Sequence, residues 1–180
     1  MVSIKAIEAK LRELKNGEFK DYGDLVRELS IFADETSRDR STRNAAAILG
    51  PDDSIVSLGV NDLAPGVEPL TARMERPLKY SYFIHAEVAA IANAARLGAS
   101  TEGCTIVSPW AACSMCSNVI VHSGAARLVT VESLVNQQNE RWSREIQRGH
   151  EILREGGVEI ILLDQRQNAS MHLDGMPRNF

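Results

Sequence analysis

The sequence predicts an α/β fold in which one mixed sheet is covered by helices on both faces. Three observations carry that expectation. Two short apolar runs, 45–49 and 54–60, flank Gly50-Pro51-Asp52-Asp53, which has the chemistry of a hairpin turn. After residue 85, apolar runs of strand length alternate with longer stretches of helical periodicity. At 180 residues, 44% hydrophobic and 24% charged, the chain can bury one core and has the balance of a globular domain.

In chain order, Ile4, Ile7, Leu11 and Leu14 follow helical spacing until Asn16-Gly17, so residues 1–22 read as an accessory helical segment. Asp24 is the expected cap of a second helix with Leu25, Leu29 and Phe32 on its apolar side. Residues 36–44 form a polar, basic loop. Ala45–Leu49 and Ser54–Val60 are the hairpin strands. Asn61 to Lys79 reads as a long irregular loop, with Pro65-Gly66, Pro69 and Pro77 and the cations Arg73, Arg76 and Lys79. Loops of that length are commonly functional, and this one ends just before His85. Ala86–Leu97 is a helix stopped by Gly98, its alanines 89, 90, 92, 94 and 95 suited to close packing on a sheet. A strand at Cys104–Ser108, a helix at Cys113–His122 and a strand at Arg127–Val131 follow. An amphipathic helix at 137–155 offers Trp142, Ile146, Ile152 and Leu153 to the core, Trp142 purely as packing. Gly156-Gly157 ends it, and Val158–Leu163 is the expected final strand. Residues 23–165 are thus the principal unit and 166–180 a polar, loosely packed tail.

Composition excludes some classes. A net charge of −4 and a pI near 5.6 argue against a broad nucleic-acid surface, while leaving room for a small anionic substrate held by local cations. No apolar run has the length of a membrane span, and Met1-Val2-Ser3-Ile4-Lys5 opens no signal-type segment. Three cysteines, two of them as Cys-x-x-Cys, fit metal binding in a reducing cytoplasm better than a disulfide framework.

The chemistry concentrates at two helix starts. His85-Ala86-Glu87 opens one and Pro109-Trp110-Ala111-Ala112-Cys113-Ser114-Met115-Cys116 leads into the other. One imidazole and two thiolates are a zinc set that leaves the fourth tetrahedral position open, the arrangement of catalytic rather than structural sites. Helix N-termini favour anions, which helps Cys113 and Cys116 bind as thiolates. Glu87, two residues beyond the histidine, can move protons without binding the metal. The competing readings are a closed structural zinc completed by Cys104 or His122, and a redox dithiol, which leaves His85 and Glu87 unexplained. His122, His150 and His172 read as ordinary residues. Trp110 is suited equally to the core and to flanking a bound ring, and Arg38, Arg40 and Arg43 equally to solvating their loop.

His85-Ala86-Glu87 with Cys113-Ser114-Met115-Cys116 resembles the zinc-dependent cytidine/deoxycytidylate deaminase superfamily, whose signature is H-x-E followed by P-C-x-x-C. Here Ala112 stands where that proline is usual. The likeness extends over roughly 25–165. Ser37-Arg38-Asp39-Arg40-Ser41-Thr42 is similar to the S-x-D-x-x-T stretch of deoxycytidylate deaminases, although Asn44-Ala45-Ala46 replaces their Val-Gly-Ala. Gly59-Val60-Asn61, Glu75 to Tyr80 and Pro109-Trp110 are similar as well.

The resemblance implies a three-layer α/β/α fold with a five-stranded mixed sheet spanning 23–165. It also implies zinc on His85, Cys113 and Cys116, with Glu87 as acid/base. It makes Asn61 the sugar contact, gives the Ala86 backbone and the residues before Cys113 the base edge, and lets Asn44 alter the pocket and Trp110 flank the base. Arg73, Arg76, Lys79, Arg38 and Arg43 are the available phosphate partners. The implied reaction is hydrolysis of deoxycytidylate to deoxyuridylate by a dimer or hexamer. Other expectations kept open are a modified cytosine nucleotide, cytidine, guanine or tRNA adenosine as substrate, and a non-catalytic zinc-stabilised module.

Overall fold

The computed structural model describes residues 9–10, 13, 21–136, 140–164 and 167–180. The expected helix over 4–14 therefore lies largely outside the described residues. Helix α1 (Tyr22–Thr36) is capped by Asp21, whose side chain accepts from the backbone N–H of Asp24 at 2.9 Å. The cap is thus three residues earlier than expected. Asp24 falls in the first helical turn, where a carboxylate still favours the dipole.

Strands β1 (Ala45–Leu49) and β2 (Ile55–Val60) form the antiparallel hairpin. Strands β5 (Thr105–Val107), β6 (Arg127–Val131) and β7 (Glu159–Leu163) complete a five-stranded mixed sheet of order β2-β1-β5-β6-β7. β1 runs antiparallel to β5, and β5, β6 and β7 are mutually parallel. The period of two sorts the side chains into two layers. Ala45, Ala47, Leu49, Val107, Val129 and Val131 pack with Leu25, Leu29 and Phe32 of α1. Ala46, Ile48, Ile106 and Leu128 face the other way. There they meet Ala86, Ala90 and Ala94 of helix α4 (Ala86–Arg96) and Cys116 and Ile120 of helix α5 (Ser114–His122). Ala92 and Ala95, expected to pack, are exposed on the outer side of α4.

The stretch 61–79 is less irregular than its prolines suggest. It contains strand β3 (Asp62–Leu63), which pairs with β4 (Phe83–Ile84), the short helix α2 (Thr71–Met74), and the first residue of helix α3 (Lys79–Tyr82). Beyond β6 lie α6 (Glu132–Asn136) and α7 (Glu140–Glu155). Ile146 of α7 joins the first layer and Leu153 the second. Gly149 brings α7 onto the loop before α5: a β-carbon there would stand 2.6 Å from the Ala112 carbonyl oxygen.

The C-terminal segment departs most from expectation. Strands β8 (Ser170–Leu173) and β9 (Met176–Asn179) form a hairpin, so β7 is not the last strand. Met171, Leu173 and Phe180 are buried in the α1 layer, so the tail is packed. Asp174 and Gly175 make its two-residue turn with φ of 52° and 79°, the left-handed geometry that Asp-Gly favours. No described helix is long and apolar enough to cross a membrane.

Candidate active site

His85 is the N-cap of α4 and Cys113 the N-cap of α5, with Cys116 in the first turn of α5. The two helices lie side by side on one face of the sheet, bringing the three donors to one point. His85 Nδ1 is 3.2 Å from Cys116 Sγ and 3.4 Å from Cys113 Sγ, and the sulfurs are 3.6 Å apart. A tetrahedral zinc with ordinary bond lengths separates two sulfurs by about 3.8 Å and nitrogen from sulfur by about 3.6 Å. The donor set therefore fits zinc in both chemistry and spacing. Among the described residues these three alone cluster as metal donors. Cys104 instead donates to the Ser100 carbonyl, and all three cysteines are free thiols.

Glu87 sits two residues beyond His85, in the first turn of α4, and is 3% exposed. Its Oε2 lies 3.6 Å from Cys116 Sγ. Burial pushes its carboxyl up to about 7, although a charged His85 opposes that. Hydrogen bonding from Cys116 holds the Cys113 thiol well below its usual range, with burial opposing and His85 assisting. The same sulfur–sulfur contact, with burial, keeps the proton on Cys116. Burial disfavours charge on His85, but the Cys113 sulfur, with Glu87 and Asp39, outweighs it and the imidazole is raised. The pair of thiols thus shares a proton that a divalent metal would displace.

Above the donors opens a cavity of about 690 Å³, mouth included. His85, Glu87, Cys113, Ala86, Asn44, Asn61, Trp110, Arg76 and Lys79, all expected from sequence, line it. Trp142 lines it too, which its reading as pure packing missed. Its ring stands edge-on to Trp110 with centroids 5.2 Å apart, and 6.2 Å from the His85 ring. Period alone could not reveal this, since Trp142 faces the core and the cavity at once. Asp39, also unforeseen, is 3% exposed and binds Lys79 Nζ at 2.6 Å.

Two buried polar atoms in the cavity wall have no hydrogen-bond partner among the described residues: Asn44 Oδ1 and Trp110 Nε1. The Asn61 amide, in contrast, is fully engaged. Its oxygen accepts from the Asn44 N–H at 2.7 Å, and its nitrogen donates to Asp39 Oδ2 at 3.1 Å and to the Thr42 carbonyl. Arg73 is not among the lining residues; its guanidinium lies over the Tyr82 ring and donates to the Glu68 carbonyl. Arg38 is paired with Asp62 at 2.8 Å and Arg43 with Asp34 at 2.6 Å. These pairings explain why counting basic residues overstated the positive charge available to a substrate.

Zinc-binding deaminases are the class that this sheet order and this open three-donor site define. The family described as the cytidine and deoxycytidylate deaminase zinc-binding region matches residues 22–132, more than half the chain, and the protein belongs to it. It is 32% identical over 127 residues to an uncharacterized deaminase from the luxG 3′ region of Aliivibrio fischeri, covering 71% of this chain and 83% of that one. It is 30% identical over 123 residues to the cytosine deaminase of Candida albicans, covering 68% and 67%. Its fold superposes on the dCMP deaminase of cyanophage S-TIM5 in complex with dCMP and dUMP with a TM-score of 0.62, at 18% identity, covering 82% of this chain and all of the other.

Proposed function

We propose that the protein hydrolyses deoxycytidylate (dCMP) to deoxyuridylate (dUMP) and ammonia. The observation that carries the reading is the buried Glu87 carboxyl against the three-donor cluster, at the base of a cavity that Arg76 also lines. His85, Cys113 and Cys116 hold zinc, which when bound makes water a competent nucleophile near neutral pH. Glu87 takes the proton from the attacking water and delivers it to N3 of the ring. Oxygen bonds to C4, Glu87 carries the second proton from the new C4 hydroxyl to the amino nitrogen, and the C4–amino bond breaks to release ammonia and leave the C4 carbonyl. The unpartnered Trp110 N–H and Asn44 oxygen, with the Ala86 backbone, offer a donor and an acceptor to the base. Asn61 orders the wall beside the sugar, and Arg76, half exposed, faces the phosphate. The free thiols suit a reducing cytoplasm.

A second reading, an uncharged cytosine base or nucleoside, is favoured by the neutralisation of Lys79 by Asp39. Ammonia release across cytosine, deoxycytidine, dCMP, guanine and adenosine separates the two. Preference for dCMP supports the first, and turnover of cytosine alone replaces it. Glu87→Gln is expected to retain zinc and lose ammonia release. Normal turnover by that variant would remove the acid/base and leave a zinc-stabilised module.

A further inference from the structure

Of the five cations that a phosphate could meet, four are engaged by other groups. Arg38, Arg43 and Lys79 are paired with Asp62, Asp34 and Asp39, and Arg73 lies against Tyr82. Arg76 differs. Like Lys79 it lines the cavity, but its side chain is 54% exposed where that of Lys79 is 10%, and its guanidinium stands 5.8 Å from the centre of the Tyr80 ring. Its ion-pair partner is Asp174, at 3.4 Å, which lies at the turn of the β8–β9 hairpin.

That hairpin is tied to the cavity wall at further points. The Gly175 N–H donates to the Ser41 carbonyl at 2.8 Å, and the Arg43 N–H donates to the His172 carbonyl at 3.0 Å. Both bonds fasten loop 39–43, which carries Asp39 and Thr42 into the cavity. The turn bearing Asp174 is thus anchored by backbone bonds at a fixed height beside the mouth. A long, exposed arginine loses rotamer freedom when it grips an anion. A carboxylate on one edge of the guanidinium restrains it beforehand and leaves the other N–H groups for a second oxyanion.

We propose that Arg76 is the residue that reads the substrate's phosphate, and that Asp174 is the positioning residue that sets where its guanidinium stands. This rests on the nucleotide reading above. The C-terminal hairpin then belongs to the substrate-selecting apparatus, although it lies some 60 residues beyond the metal donors.

The test measures kcat and KM with dCMP and with deoxycytidine, which lacks the phosphate. In Arg76→Ala the KM for dCMP should rise about 10–100-fold, the loss expected of a charge-assisted contact, and the preference for dCMP over deoxycytidine should fall by the same factor. In Asp174→Ala and Asp174→Asn the KM for dCMP should rise about threefold or more, with kcat within about twofold and the KM for deoxycytidine unmoved. Asp174→Glu should restore it, and Asp174→Ala should add nothing in the Arg76→Ala background. Both side chains are about half exposed, so these variants should fold. Asp174 variants that alter both substrates equally would reduce the hairpin to scaffolding and overturn its positioning role. An Arg76→Ala enzyme that keeps its dCMP preference overturns the phosphate assignment while leaving the deaminase reading intact. Wild-type protein that deaminates neither compound overturns the function itself.

Discussion

A β-carbon on Gly59 would lie 2.3 Å from the carbonyl oxygen of Ala86 and 2.2 Å from the amide nitrogen of Ala90. Helix α4 therefore rests directly on strand β2, and His85 and Glu87 take their positions from that contact. Ser57 Oγ, donating to the Ala90 carbonyl at 2.7 Å, and Asn93 Nδ2, donating to the Leu58 carbonyl at 2.8 Å, fix it further. Because the obstructing atoms are backbone, Gly59→Ala should cost about 3 kcal/mol, at the upper end for overpacking. Its melting midpoint should fall by roughly 6–12 °C, and zinc content should fall with it. Scanning calorimetry and metal analysis check this; an unchanged midpoint would contradict the close approach.

The three donors act as a unit, so His85→Ala, Cys113→Ser and Cys116→Ser should each take zinc from one equivalent per chain to a trace. Cys104→Ser should leave it unchanged, since its sulfur bonds to Ser100. Metal analysis after dialysis distinguishes them. A loss of zinc in Cys104→Ser would point to a closed four-ligand site.

Asp39 and Lys79 are a buried ion pair, their side chains 3% and 10% exposed. The carboxylate also accepts from the backbone N–H groups of Ser41 and Thr42. Lys79→Met leaves that charge buried without its cation and should cost about 3–5 kcal/mol, whereas Lys79→Met with Asp39→Asn should cost less than the two single losses added together. Urea denaturation of the four proteins in a cycle measures it. Additive losses would show that the two side chains do not interact.

For Glu87 the folded-state value, about 7, lies above the ordinary 4.5. Between these pH values the folded protein binds more protons than the unfolded chain. The stability associated with this group is therefore full below about pH 4.5 and lost as pH rises through 7. In chelator-treated protein, Glu87→Gln should be more stable than wild type at pH 8 by up to about 3 kcal/mol, and equal to it near pH 4.5. Denaturation at the two pH values reads the difference. A gap that does not change with pH would assign the effect to packing.

Trp142 bridges the two core layers and the cavity wall. Trp142→Ala should lose about 3 kcal/mol of stability and raise KM, while Trp142→Phe keeps an aromatic face and most of both. Kinetics and denaturation together check this; a KM indifferent to both changes would confine Trp142 to the core.

The metal donors were legible because their chemistry is local. His85 and Glu87, and Cys113 and Cys116, are spaced within single helical turns, and helix starts are written in nearby residues. The strands were legible for the same reason, through short apolar runs between turns. The C-terminal hairpin also carried a local signal, Asp174-Gly175 after the alternating Met171 and Leu173, but its polar surroundings masked it. The role of Trp142 and the pairing of the cations had no local signature, since each depends on residues distant in the chain.

By itself, then, the sequence determined a mixed α/β sheet and one three-donor zinc set with a carboxyl two residues beyond its histidine. Periodicity and donor chemistry are properties of neighbouring residues. Only the tertiary structure decided which charges face the cavity. Asp39, Asp62 and Asp34 neutralise Lys79, Arg38 and Arg43, and leave Arg76 at the mouth beside Asp174. Charge is a property of a residue, but the field a substrate meets is set by what folding places within a few ångströms of it.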